Sequence, residues 1–171
     1  MNASPTTGQS VLAKVALIAF LALLVPDFRE SHAAEPACDE TKVQLRWANG
    51  RSSFNVELAD DAESRARGLM HREALAPFSA MLFVYPTPRK ARFWMKDTLI
   101  PLDVLFFDHR GVLKMVHGNA QPFSLETFDG GEGIQYVLEI NAGMSRDLGI
   151  PVGSELRHPS IDSPDAAWPC R

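Results

Sequence analysis

The sequence predicts a mainly β (α+β) fold: a compact curved sandwich or barrel-like sheet of short, largely antiparallel strands with two short helices. Three observations lead there. Apolar runs of strand length recur along the chain, Gly, Pro, Asn and Asp punctuate them at short intervals, and only two stretches carry helix signals. Many short strands with frequent turns are the pattern of barrels and curved sandwiches.

The first two strands are Val43–Trp47 and Ser53–Leu58, joined by Ala48-Asn49-Gly50-Arg51, and Asn-Gly between such runs signals a hairpin. Asp60 and Glu63 have capping-box spacing, so a helix is expected over about 61–67 with Gly68 as its stop. Its core-facing stripe would be Ala62, Ala66 and Leu69, with Arg65 beside it. Ala80–Tyr85 is a strand expected to end at Pro86. Ala91–Lys96 and Leu99–Asp108 follow as one bent strand or two, and Val112–His117 returns after a turn at 108–111. Residues 119–133 read as a glycine-rich loop, Gln135–Ile140 as a strand, 142–148 as a short helix and Ser154–Arg157 as a last strand. An irregular tail occupies 158–171.

The first 33 residues read as a cleaved signal peptide. Lys14 supplies a positive charge, Val15–Val25 is an apolar run too short for a comfortable membrane span, and Ser31-His32-Ala33 suits a signal peptidase. Cleavage near Ala33 or Ala34 leaves a single domain, 34–171, with its core at 43–156, and a periplasmic or secreted address. Retention of the segment as an anchor is the competing reading. Removal leaves the net charge at −4, which argues against a nucleic-acid partner, and no stable membrane span is expected after cleavage. Cys38 and Cys170 stand at the two ends of this domain, and in an oxidising compartment an even pair suggests a disulfide.

Candidate site residues come from charges placed in apolar surroundings. In Phe93–Asp108, strand alternation separates Phe93, Met95 and Asp97 from Trp94, Lys96 and Thr98. Beyond Pro101 both parities are apolar, so that strand should be buried on both faces, with Asp103 inside it. A carboxylate there either accepts backbone N–H groups or pairs with an arginine, or else serves a site with a shifted pKa. Arg65 and Arg72 are the expected cationic partners. Glu139 alternates with the Tyr136, Leu138 and Ile140 face and is read as pointing to solvent. Met70, His71 and Met95 form a candidate soft-metal set of the kind that suits Cu(I), although methionine also fills irregular cores. Hydrolase elbows, zinc-protease helices and nucleotide-binding loops are missing from the chain, so the reading leans away from catalysis and expects no cofactor.

Four motifs occur here in order: R-A-R-G-L-M-H-R (65–72), A-M-L-F-V-Y (80–85), F-W-M-K-D-T-L-I-P-L-D-V-L-F-F-D (93–108) and Y-V-L-E-I-N-A-G (136–143). Together they resemble the family catalogued as domain of unknown function 192. The resemblance implies a small β-rich domain, often exported, and brings no established activity. Arg65, Gly68, Leu69, Met70, Arg72, Met81, Phe93, Trp94, Met95, Thr98, Pro101, Asp103, Glu139 and Gly143 match its pattern. Ala80 replaces a common Gly and Asp97 a common Asn.

The expected function is therefore an exported, non-catalytic module for a small molecule or an envelope protein. Its site would be a cleft bordered by Trp94, Lys96 and Asp97, with Arg65, Arg72 and Asp103 beneath. Two alternatives stand beside it: a periplasmic copper-binding protein, and an envelope hydrolase acting on glycans with Asp97 and Asp103 as its two carboxylates.

Overall fold

A curled, half-barrel sheet organises the chain in the computed structural model, which describes Met1 and residues 37–170. The expected leader and its cleavage site lie outside the described residues. Strands β1 (Lys42–Trp47), β2 (Gly50–Ala59), β3 (Ser79–Arg89), β5 (Leu102–Asp108), β6 (Leu113–Ala120), β8 (Ile134–Asn141) and β9 (Glu155–Arg157) form one seven-stranded sheet in the order β6-β5-β8-β3-β2-β1-β9. Two short strands, β4 (Arg92–Phe93) and β7 (Phe128–Asp129), pair separately. The helices are α1 (Ala62–Arg67) and α2 (Met144–Asp147).

Every neighbouring pair is antiparallel except β2 and β3, which run parallel. That pair needs a crossover, and residues 60–78, with α1 at their start, supply it. At the other end of the sheet order, Val112 bridges Glu155, and the Leu156 N–H donates to the Gly111 carbonyl at 2.8 Å. The turn beside β6 therefore meets β9, and the sheet curls almost closed at that corner.

Period-2 alternation divides the apolar side chains between two cores. Val43, Leu45, Phe54, Leu82, Leu105, Phe107, Leu138 and Ile140 fill the first core, together with Ile150, Leu156 and Ile161. Ala59, Leu69, Met81, Phe83, Phe93, Met95, Val104, Phe106 and Val137 form the second, on the opposite face. Because β5 contributes to both, its first six residues are all buried, as its sequence predicts. The Cys38–Cys170 disulfide ties the ends of the described chain across 132 positions. The tail is irregular as expected, yet Ile161 and Trp168 in it are buried.

Several boundaries differ from expectation, each for a local reason. The first hairpin turns at Ala48-Asn49, one residue earlier than Asn-Gly, because Trp47 pairs with Gly50 and its ring lies so close that any Cβ there would meet it at 2.7 Å. The helix N-cap is Asp61, not Asp60: its carboxylate accepts the N–H groups of Glu63 (2.7 Å) and Ser64 (2.9 Å). Strand β3 runs past Pro86 and Pro88 to Arg89. Its pairing with β2 stops at Phe83, and a register shift in its pairing with β8 spans Val84 to Arg89, so neither proline has to donate to a ladder. The Phe93–Asp108 segment is two pieces belonging to two sheets. A turn at Lys96-Asp97, with Asp97 at φ 54, separates them, and the strand alternation ends there.

Candidate functional site

Asp103 is a structural junction. Its position on β5 faces a bulge in β6, where the register moves from Leu102↔Ala120 to Val104↔His117. Oδ1 accepts the N–H groups of Asn119 (2.8 Å) and Gly143 (3.0 Å). Oδ2 accepts the Ser145 N–H (2.9 Å) and its hydroxyl (2.6 Å). Gly143 caps α2 at φ 84, a left-handed conformation that suits glycine and aims its N–H at the carboxylate. Burial alone would raise the Asp103 carboxyl; the Ser145 hydroxyl and the three N–H donors outweigh it and hold it below 3.8. With four donors on two oxygens, the group is satisfied by backbone and a hydroxyl. The expected arginine partner is thus corrected. Arg72 instead forms an ion pair with Glu57, Nη1 donating to Oε1 at 2.6 Å. Arg65 donates to the carbonyls of Asp60 and Val84.

Glu139 overturns the expectation that it points to solvent. It is 5 % exposed, on the second-core face, paired across strands with Met81 on β3 and Val104 on β5. Its Oε2 has no hydrogen-bond partner among the described residues. Desolvation raises the carboxyl from 4.5 to about 8, so it holds its proton at neutral pH. Strand parity was read correctly; the cover over that face was not visible in the sequence.

On the same side of the sheet, the crossover builds an open groove of about 550 Å³ lined by Ala62, Arg65, Ala66, Tyr85, Arg89, Lys90 and Arg92. Ala62 and Ala66, expected to face the core, are exposed here, and their small side chains leave the groove open. The guanidiniums of Arg65 and Arg89 lie over the Tyr85 ring, at 5.4 and 5.1 Å from its centroid. Burial pushes the Tyr85 hydroxyl up, and these two cations offset part of that rise. Lys90 is paired with Asp129 at 3.4 Å. Arg65, Arg89 and Arg92 have no carboxylate within ion-pair distance among the described residues.

A smaller crevice of about 190 Å³ lies between Met95, His117 and residues 119–128. The His117 and Phe128 rings stack in it, with centroids 3.8 Å apart and planes 5° from parallel. Across the β4–β7 ribbon, Phe128 pairs with Phe93 and Asp129 with Arg92, so this crevice and the basic groove share one two-stranded element.

The six expected ligand residues do not converge. Trp94 and Lys96 are exposed and stack on each other, the Lys96 ammonium 5.3 Å from the ring centroid, and Asp97 is half-buried in the adjoining turn. Arg65 lines the basic groove, whereas Arg72 and Asp103 are engaged elsewhere. With Asp103 saturated, Asp97 and Asp103 do not offer the two free carboxylates that glycan hydrolysis requires. Of the soft-metal set, Met95 is fully buried, Met70 half-buried and His71 exposed, with the His71 N–H donating to the Asp97 carbonyl at 2.8 Å. No group of three or more His, Cys, Asp or Glu among the described residues is placed to hold a metal ion. Sequence reasoning missed Arg89, Lys90 and Arg92 as a group, although R-K-A-R is visible as a basic run.

Fold and site together define a small β half-barrel protein with two surface depressions beside a shared ribbon. The family model described as "Uncharacterized ACR", domain of unknown function 192, matches residues 44–158, and the chain belongs to that family. A solved structure from Sinorhizobium meliloti 1021, described as a candidate transcription regulator, is 40 % identical, with a TM-score of 0.67 over 71 % of this chain and 95 % of that one. Another, a protein of unknown function from Novosphingobium aromaticivorans DSM 12444, is 33 % identical, with a TM-score of 0.66 over 72 % of this chain and 93 % of that one. The chain matches no curated protein. Among the described residues no helix is long and apolar enough to cross a membrane.

Proposed function

We propose that the protein is an exported, non-catalytic binding module whose site is the basic groove, and that its ligand carries an anionic group such as sulfate, phosphate or carboxylate. One observation carries the reading. Three guanidiniums, Arg65, Arg89 and Arg92, sit in one groove with no carboxylate at ion-pair distance among the described residues, Asp129 and Asp61 acting on Arg92 and Arg65 only from further off, in a chain of net charge −4. Gathering like charges is unfavourable unless something holds them. Here the Tyr85 ring and the Asp60 and Val84 carbonyls hold two of the three. Planar guanidinium forks set in advance suit bidentate recognition of an oxyanion. The signal-like N-terminal sequence and the Cys38–Cys170 disulfide support an oxidising, extracytoplasmic address. Net charge and address together argue against carrying over the description of the S. meliloti protein as a transcription regulator.

Calorimetric titration with sodium sulfate at constant ionic strength tests the site. Saturable binding that weakens roughly tenfold in Arg89→Glu supports it. Heats that never saturate, or an affinity indifferent to Arg89→Glu and Arg92→Glu alike, overturn it. Cell fractionation with N-terminal sequencing tests the address: a cytoplasmic chain beginning at Met1 rules out export.

A further inference from the structure

We propose that the crevice formed by Met95, His117 and residues 119–128 is a second binding site, taking one uncharged, hydroxyl-rich ring the size of a single sugar unit. The inference does not depend on the groove. The lining combines the two features such a ligand needs. An apolar floor is made by buried Met95 and Ala120 and by the stacked His117–Phe128 ring pair, aromatic carbon against which the C–H groups of a ring can pack. Around it stand two amides, a carboxylate and two hydroxyls: Asn119, Gln121, Glu126, Ser124 and Thr127.

These polar groups are largely unspent. The Gln121 amide nitrogen donates to the Asn119 carbonyl at 2.8 Å, which leaves its own carbonyl free to accept. Ser124 Oγ accepts the Glu126 N–H at 3.3 Å, which leaves its hydroxyl proton free to donate. The side chains of Asn119, Glu126 and Thr127 have no hydrogen bond or ion pair among the described residues. Amides and carboxylates at the rim can each engage two neighbouring hydroxyls, and a mixed donor–acceptor set of this kind matches a polyol. A single acidic residue and no Lys or Arg in the lining disfavour an anion, in contrast to the groove. The volume also limits the ligand, since about 190 Å³ is smaller than the several hundred Å³ typical of drug-sized sites.

The crevice is held open before any ligand arrives. The Met95 N–H donates to the Ser124 carbonyl at 2.9 Å, the Phe123 N–H to the Thr98 carbonyl at 3.2 Å, and the Asn119 N–H to Asp103. Those bonds fix the start and the middle of the 119–128 segment, and the pairing of Phe128 with Phe93 fixes its far end, which lowers the ordering cost of binding. Trp94, Phe123 and Leu125, all exposed, are chain neighbours of its lining residues Met95, Ser124 and Glu126.

The test is a titration of the full chain with N-acetyl-D-glucosamine and with methyl α-D-glucopyranoside, read by saturation-transfer NMR and calorimetry. Saturable binding of at least one is expected, weakened about fivefold or more in Glu126→Ala and in Gln121→Ala, both exposed positions. Arg89→Glu should leave the sugar affinity unchanged, and Glu126→Ala should leave sulfate binding unchanged. Absence of saturable binding for both sugars overturns the proposal. So does an affinity that ignores Glu126→Ala and Gln121→Ala, or one that Arg89→Glu abolishes.

Discussion

Asp103 and Glu139 sit on adjacent strands one residue out of register, since Asp103 pairs with Ile140 and Val104 with Glu139. Both are carboxylates buried to a similar degree, at 1 % and 5 % exposure. They nevertheless shift in opposite directions: Asp103 below its ordinary value, Glu139 up to about 8. Burial pushes both upward, and more strongly at the more deeply enclosed Glu139, so burial alone does not turn Asp103 the other way. The supply of donors does. Asp103 meets a bulge in β6 and the start of α2, where three N–H groups and a hydroxyl converge, whereas Glu139 meets Met81 and Val104. The first is ionised and clamps three segments together. The second is neutral and tolerated.

The comparison breaks most visibly at Asp103. Asp103→Ala should orphan three N–H groups and a hydroxyl at once, costing about 4 kcal/mol in urea unfolding at unchanged m-value. A loss below about 1 kcal/mol would refute the junction role. Glu139→Gln should do the reverse, stabilising the fold by about 2 kcal/mol at pH 7. The unfolded chain ionises this group near 4.5 while the folded chain keeps its proton to about 8, so wild-type stability should fall as pH rises through that window. The Gln variant should flatten that slope, and an unchanged slope would show that another group carries it. Asp103 acts at the other end of the scale: its contribution is complete above 3.8 and disappears as pH falls through its lower folded value.

Ser145→Ala sharpens the contrast, because it removes one of four donors and leaves the backbone N–H in place. A loss of about 1–2 kcal/mol is expected, together with a rise in the Asp103 pKa visible by carboxyl NMR. The smallest effect belongs to Arg72, expected beside Asp103 and found paired with Glu57 instead. Arg72 and Glu57 are both partly exposed, so Arg72→Ala should change the urea midpoint by less than about 1 kcal/mol, and less still at high salt.

How far the site was legible follows from where each partner lies along the chain. For Asp103 the structure bears out backbone N–H acceptance and not the arginine partner. Backbone N–H acceptance was foreseeable from an aspartate in a doubly apolar strand. Its donors lie 16, 40 and 42 positions away, and nothing local in the sequence names them. For Glu139 the alternation was correct and the conclusion was not, because whether a face meets water depends on what covers it. In this fold the face carries the second core, to which Leu69 of the crossover and Phe93 of β4 contribute. The basic groove escaped detection because Arg65 and Arg89 are 24 positions apart in sequence and meet over Tyr85 only after the crossover returns the chain parallel to β2.

What the sequence determined by itself is what short-range physics controls. Alternation set which residues of β5 and β8 share a face, Gly68 marked the end of α1, and an even pair of terminal cysteines pointed to the disulfide that joins them. The four motifs were enough to place the chain in its family. Tertiary structure alone decided which charges found partners, which strand could run through two prolines, and which side chains line a depression. Those outcomes depend on the field, the donors and the cover that distant segments bring to a residue. The Phe93–Asp108 segment makes the division plain. Its apolar pattern correctly announced a buried strand at Leu102–Asp108, while its charges were sorted only by the turn at Asp97 and by the arrival of α2 over Asp103.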